Sequence, residues 1–343
     1  MAKAVKMADI AKVMGVSTVT VSKALSDQKG VSEELRVKIK EKAEEMGYKT
    51  TSVRYRERQA SAKSYTFGVI VSDRFLAKYE SFYWNLYQEV ATAAVGKGCF
   101  TMLEVLKAED EDQLVMPRLL GEKKAEGLII IGSLRENYMD RLIEQLDLPF
   151  ILLDFTDRNG VYDAVISNSY MGMYRMTNYL FDMGHRQIGF VGNVFFTGSI
   201  TDRFFGYLKS LAEHGVELNR EWVLQDRNGQ TGRSDEGFSW KLPKKLPTAF
   251  VCNNDVAAAN LVEHLQQEGF RVPQDISVVG YDNYQPPGLC DVRITTYEVD
   301  MPRMAQEAVG NLIGKLSGVG YKEGVIIVDG RIIYKESVSK FTI

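Results

Sequence analysis

Cysteine and histidine are scarce in this 343-residue chain, with three of each. Cys99, Cys252 and Cys290 stand far apart and without metal-ligand spacing, so neither a disulfide framework nor a zinc module organises the fold; reduced, mostly buried thiols are expected. His185, His214 and His264 are equally scattered and enter no zinc motif. No apolar run reaches the roughly 18 residues needed to cross a bilayer. The N-terminal MAKAVKMADI lacks the apolar core of a secretion signal, so a cytoplasmic chain with no membrane partner is expected. Phosphate loops are missing too: no G-x-G-x-x-G follows a strand, and no G-x-x-x-x-G-K-S/T occurs. G-x-S-x-G is absent, and no Cys and His fall into a recognisable nucleophile signature. The chain is therefore expected to hold no catalytic residue, no metal and no cofactor.

What is present is a basic head on an acidic body. Residues 1–63 carry ten Lys and four Arg against eight acids, a net charge of +6, and the remainder has 28 cations against 37 acids, or −9. Such a split suits one module for nucleic acid and another for something else. With 45% apolar residues the chain can bury sizeable cores, and its length suggests two or three domains.

Val5–Leu25 carries the sharpest pattern. Met7, Ile10, Ala11 and Met14 recur at helical spacing, and Gly15 stops that helix because glycine takes the left-handed conformation without steric cost. Ser17 caps a second helix to about Leu25, with Val21, Ala24 and Leu25 inward and Thr18, Thr20, Ser22 and Lys23 outward. Ser32 then caps a third helix whose buried stripe is Leu35, Ile39, Ala43 and Met46. Two short helices around a glycine turn make a helix-turn-helix, whose second helix fits the DNA major groove. The plain alternative is an αα-hairpin inside a larger core. The outer face argues against it: small hydroxyls reach phosphates and one long cation reaches a guanine edge.

The stretches D-I-A-x-x-x-G-V-S-x-x-T-V-S-K, V-S-x-x-L-R-x-K-I and G-Y together resemble the headpiece of the lactose-repressor/galactose-repressor family of transcription regulators. The resemblance runs on through V-I-S-N-S-Y-x-G (Val165–Gly172), G-H-R-Q-I-G-F-V (Gly184–Val191) and R-F-F-G-Y (Arg203–Tyr207). It continues in N-N-D-V-A-A-A (Asn253–Ala259), D-I-S-V-V-G-Y-D-N (Asp275–Asn283) and I-T-T-Y (Ile294–Tyr297). It implies a helix-turn-helix headpiece at 1–49, a hinge at 50–64 and an effector-binding and dimerisation domain at 65–343. Operator contacts are expected from Ser17, Thr18, Val19, Thr20, Ser22 and Lys23, and backbone tracking from Arg54, Arg56 and Arg58 in the hinge. The family's hinge inserts a leucine wedge into the minor groove. Here Thr50, Thr51, Arg54 and Glu57 occupy its proline, asparagine, alanine and leucine positions. An acid at the wedge position leaves two options: a shifted wedge at Val53 or Tyr55, or arginines that follow the groove without unstacking it.

Beyond Thr66, apolar runs alternate with helical stretches, the pattern of a parallel sheet covered on both faces. Strands are expected at Phe67–Val71, Phe100–Leu106, Gly127–Ile131 and Phe150–Asp154, with helices at Phe82–Val95, Leu114–Leu120 and Tyr138–Gln145. A second unit is expected to repeat this, with helices Tyr174–Met183, Asp202–His214, Val256–Glu268 and Met301–Leu316. Its strands are Ile188–Val191, Ala249–Cys252, Ser277–Tyr281, Gly324–Val328 and Ile332–Ser337. The stretch 216–247 is polar and unassigned. Two doubly wound α/β halves in series make a clamp like a periplasmic binding protein, with ligand between the carboxyl ends of the strands.

Asp154, Arg203, Asn254 and Asp282 lie at or just beyond strand ends, and such side chains hydrogen-bond vicinal hydroxyls. By resemblance Arg203, Asn254 and Asp282 match effector-contacting positions, with Ser72, Asp154 and Ser199 added as looser matches. Asp255 reads better as a cap or turn former, whereas a cation such as Arg203 between the halves needs an anionic or polyol partner. Phe75, Tyr79, Phe82, Tyr83 and Trp84 follow the first strand and offer rings for a sugar, and Met301 stands where the family often has an aromatic. The resulting expectation is a dimeric, cytoplasmic transcription regulator that binds double-stranded operator DNA as a repressor and answers to a small effector, a sugar above all. Its rivals are a solute-binding protein and an α/β enzyme with an added DNA-binding domain.

Overall fold

In the computed structural model, which describes residues 5–25, 28–46, 48, 63–76, 81–228, 241–285 and 288–342, the head (Met1–Ser64) and the body (Tyr65–Ile343) form separate units. The head has α1 (Met7–Met14), α2 (Thr18–Leu25) and α3 (Glu33–Glu45). Gly15 ends α1 at φ 65°. The Ser17 hydroxyl accepts the Thr20 N–H at 3.1 Å, and Ser32 accepts that of Leu35 at 3.4 Å. Ile10, Ala11, Val21, Ala24, Ile39 and Ala43 form the core, with Leu35 and Met46 packed against it. The hinge positions Thr50, Thr51, Val53, Arg54, Tyr55, Arg56, Glu57 and Arg58 lie outside the described residues.

The body contains two six-stranded sheets. The first holds β1 (Thr66–Ser72), β2 (Phe100–Leu106), β3 (Gly127–Ile131), β4 (Phe150–Leu153), β5 (Ala164–Ser167) and β11 (Val325–Val328), in the order β11-β5-β4-β3-β1-β2. All its pairings are parallel. All five residues of GLIII in β3 are buried, as expected of a strand covered on both faces. The second sheet holds β6 (Ile188–Val191), β7 (Val223–Leu224), β8 (Ala249–Cys252), β9 (Ser277–Asp282), β10 (Thr295–Glu298) and β12 (Arg331–Ile333), in the order β12-β10-β9-β8-β6-β7. Only β12 runs antiparallel within it.

The helices of the first half are α4 (Phe82–Val95), α5 (Ala108–Asp112), α6 (Arg118–Gly121) and α7 (Glu136–Gln145). Those of the second are α8 (Ser169–Asp182), α9 (Gly198–Glu213) and α10 (Asp255–Gln267). The last helix, α11 (Met301–Ser317), packs on α4 and on β3, β4 and β5.

Several expectations need correction. Leu114–Leu120 is not one helix: Leu114 takes a positive φ of 55°, Pro117 precedes the short α6, and α5 lies upstream. The halves are not in series either. Leu312 of α11 seats on Gly127 of β3, and the Lys315 ammonium donates to Phe150 O at 3.0 Å, which ties this helix to the first half. Its successor β11 pairs with β5 in the first sheet. Helices α8 and α9 begin earlier than expected because Asn168 and Thr197 cap them. The final strand is shorter: β12 ends at Ile333, and Ser337 continues beside the sheet through Thr295 N–H to Ser337 Oγ at 2.8 Å.

The chain passes between halves near residues 167–169, 298–301 and 328–331, and two buried tyrosines pin the first and the last of these passages. Tyr281 and Tyr297 stack at 5.0 Å. The Tyr281 hydroxyl donates to Asn168 O at 3.2 Å, and the Tyr297 hydroxyl accepts the Gly330 N–H at 2.8 Å.

Candidate functional site

The outward face of α2 leaves Ser17, Thr18, Val19 and Ser22 exposed and Thr20 and Lys23 half-buried, and Val19 is 62% exposed. Val19 takes no part in the core of the head. The Lys23 ammonium lies over the following turn, 3.7 Å from where a Cβ on Gly30 would stand. That turn is fixed by Arg36, a buried cation the sequence reading passed over. Its guanidinium donates to Gln28 O at 2.9 Å, to Lys23 O at 3.4 Å and to Val31 O at 3.5 Å. One planar fork thus closes the end of α2 against α3.

In the body, a buried polar cluster lies where carboxyl ends of strands from both sheets come together. Asp154 follows β4 with φ 67°, and Asp282 ends β9 with φ 96°. Non-glycine residues seldom adopt this left-handed backbone, and such strain concentrates at functional positions. Tyr83 of α4 donates its hydroxyl to Asp154 Oδ2 at 3.1 Å. Its ring lies tilted against Phe75 at 4.8 Å, and both rings close over Gly132, where a Cβ would lie 3.1 Å from each.

From the second half comes Arg203, 5% exposed, in the second turn of α9 rather than at its start. It donates to Asn253 O at 2.5 Å and to Asp282 Oδ1 at 3.1 Å, and its guanidinium lies 3.8 Å over the Tyr281 ring. Its Nε–H is buried and finds no hydrogen-bond partner among the described residues. Arg203 thereby joins the cluster to the tyrosine pair that pins the passages between halves.

Burial dominates the electrostatics here. It lifts the Asp154 carboxyl to about 7, with Arg203 pulling the other way and Asp282 adding to the rise. Burial raises Asp282 as well, against the pull of Arg203, and pushes the Tyr83 phenol well up with help from Asp154 and Asp282. For Arg203 burial opposes the charge, but Asp282, Tyr281 and Asp154 outweigh it and hold the guanidinium charged.

The other candidates are placed differently. Ser72 is fully buried, donates to Glu111 and accepts the Arg74 Nε–H at 3.1 Å, a network closed by Arg74 on Glu111 at 3.0 Å. The Ser199 hydroxyl pairs with Thr197 at 3.0 Å. Asn254 caps α10 by accepting the Ala257 N–H at 2.7 Å, and its amide donates to Asn253 at 2.9 Å. Asp255 fixes a turn, accepting the Tyr284 N–H at 2.8 Å. Among the aromatics Tyr83 faces the cluster, Trp84 lies tilted against Tyr87, and Tyr79 lies outside the described residues.

A second arginine was missed. Arg227 pairs with the buried Asp226 at 2.5 Å, lies 5.3 Å over Phe196 and reaches Asn253 Oδ1 at 3.4 Å. Its charge is felt at Asp282. The rule that pointed to Asp154 and Asp282, polar groups just beyond strand ends, would have found it. Its strand, β7, has only two residues and lies in the stretch left unassigned. Among the described residues no group of three or more His, Cys, Asp or Glu is placed to hold a metal, and no helix is long and apolar enough to cross a membrane.

Comparison with known proteins bears on both units. Residues 6–51 match the bacterial regulatory proteins of the lacI family, and residues 177–338 match the periplasmic binding protein-like domain. The HTH-type transcriptional repressor PurR of Vibrio campbellii is 28% identical over 333 residues, covering 97% of this chain and 98% of that one. That of Vibrio vulnificus is 27% identical over 336 residues, with the same coverage. The lac repressor dimer bound to operator and the anti-inducer ONPF superposes with a TM-score of 0.65 at 22% identity, covering 98% of this chain and 100% of that one. The transcriptional regulator CelR in complex with cellobiose gives 0.66 at 18% identity, covering 97% and 99%. A head that presents α2, a body of two sheets that exchange their last elements, and matches to both units agree: the chain joins a DNA-binding domain of the lacI family of bacterial regulatory proteins to a periplasmic binding protein-like domain.

Proposed function

We propose that this regulator is a repressor that grips a two-fold operator as a dimer and whose hold is set by a small molecule bound between the two sheets. The observation that carries the DNA half is the face of α2. Thr18, Val19 and Lys23 meet base edges, and Ser17, Thr20 and Ser22 meet phosphates. Similarity to PurR repressors and to an operator-bound lac repressor supports this reading. In the effector half, Arg203, Asp282 and Asp154 contact the ligand and Tyr83 and Arg227 line it. Ser72, Ser199 and Asn254 act from behind, through the networks that engage them. A sugar suits the cluster because one hydroxyl both donates to a carboxylate and accepts from a guanidinium. The cellobiose complex of a similar fold supports that class.

The DNA half is tested by Lys23→Ala, measured on duplexes selected from a randomised pool. The substitution is expected to weaken the selected operator by about 1–3 kcal/mol and to relax preference at one base pair per half-site. Equal weakening on every duplex would show that Lys23 touches phosphate only.

A further inference from the structure

The charged groups around the cluster already have counter-charges within the protein. Arg203 is held by Asp282 at 3.1 Å and by a backbone carbonyl at 2.5 Å. Arg227 is held by Asp226 at 2.5 Å, with both its Nε and Nη2 on the same carboxylate. Further off, Arg74 is held by Glu111 at 3.0 Å. Among the described residues, every guanidinium beside the cleft is therefore paired, while Asp154 adds one more carboxyl from the opposite half. Among the described residues an incoming phosphate or carboxylate would meet no guanidinium free of a counter-charge here. It would sit in a buried setting against the carboxylates that hold these arginines, Asp282 and Asp226, with no added cation to offset its charge.

What remains unspent suits a neutral guest. The Nε–H of Arg203, buried and without a partner, asks for an acceptor atom, and the acids around it ask for hydroxyl or amide donors. The Phe75–Tyr83 wall and the Phe196 ring offer apolar surface for a ring edge or face. We infer that the effector is an uncharged molecule carrying both hydroxyl or amide donors and acceptors, and that its phosphorylated or carboxylated counterparts are rejected. The inference rests on the cleft reading above and narrows it to one charge class.

Matched pairs test it, with the full chain followed by calorimetry and thermal shift. The pairs are glucose and glucose 6-phosphate, ribose and ribose 5-phosphate, cellobiose and cellobionate, and inosine and inosine 5′-monophosphate. Any binding pair is expected to favour its neutral member by about 100-fold or more, since the charged one must enter beside carboxylates. A charged member that binds as tightly as its partner, or tighter, overturns the inference. Inorganic phosphate alone gives an independent reading. It should leave the melting temperature of the native chain unmoved at millimolar concentration. It should raise that of Asp282→Asn, in which Arg203 has lost its counter-charge; Asp226→Asn repeats the test through Arg227 if the first variant fails to fold. Phosphate stabilisation of the native chain that vanishes in Arg203→Gln overturns the charge argument, as does failure of both Asn variants to respond. Silence of the whole panel counts against the small-effector reading itself, and the phosphate titration still decides the question of charge.

Discussion

Asp154 combines a left-handed backbone, a buried carboxyl and one phenol partner, and its ionisation is therefore tied to folding. Its folded value of about 7 lies above the usual carboxylate value of roughly 3.9. The sign follows directly. A raised carboxyl binds its proton more tightly in the folded state, so the stabilisation is full below about pH 4 and is lost as pH climbs to about 7. Asp154→Asn keeps a neutral acceptor for Tyr83, and asparagine tolerates the same backbone. Melting curves of variant and native chain should coincide near pH 4, with the variant the more stable above pH 7. Equal curves across the range would mean that Asp154 ionises normally. Arg203 shows where residue-scale reading changes. Its place in the sequence motif marks Arg203 as an effector contact alone. With Asp282 buried beside it, removing the cation strands a carboxylate and destabilises the body.

At the scale of elements, helices α8 and α9 meet at Gly206. A Cβ there would stand 2.1 Å from Tyr170 O and 3.0 Å from Tyr174 N, both backbone atoms of α8 that no rotamer change can move. Gly206→Ala is therefore expected to destabilise the body by about 3 kcal/mol, read as a shift of the denaturant midpoint with unchanged slope. Gly310→Ala in α11, where a Cβ meets nothing within 4 Å, is the control and should be neutral or stabilising by up to about 1 kcal/mol. A Gly206→Ala chain as stable as the control would show that the two helices separate at little cost.

Elements were legible wherever both faces of a strand are buried, as in FGVIV and GLIII, and wherever a glycine or hydroxyl marks a helix end, as at Gly15 and Ser17. The two-residue β7 and the capped starts of α8 and α9 were not, because pairing and capping decide them rather than periodicity. Asp154, Arg203 and Asp282 could be chosen by their place after strands or in a familiar motif. Arg36 could not, since its role depends on carbonyls brought near by folding alone, and Arg227 is hidden because the two-residue β7 before it is too short to show periodicity.

For the whole molecule the main question is assembly. One head offers a single short helix to DNA, too few contacts for specific binding, and a symmetric pair reads two half-sites. The edge strand β2 presents Phe100 and Val105 to solvent, with Val95 just before it, apolar surface that a second copy would cover. Light scattering at micromolar concentration is expected to give twice the 38.7 kDa chain mass. A monomer that still binds its operator tightly would refute the dimer.

The exchange of elements between halves also governs how the protein is made. A ribosome releases residues in order, and domains generally fold as they emerge. The first sheet cannot do so here: its edge strand β11 and its covering helix α11 leave the ribosome only after the second half has been almost wholly translated. Until then the surface meant for Leu312 and its neighbours, on β3, β4 and β5, is open to the cell. The nascent first half is thus expected to wait, with apolar surface uncovered, while the second half is made, and a chain halted before residue 301 would leave that surface bare for good.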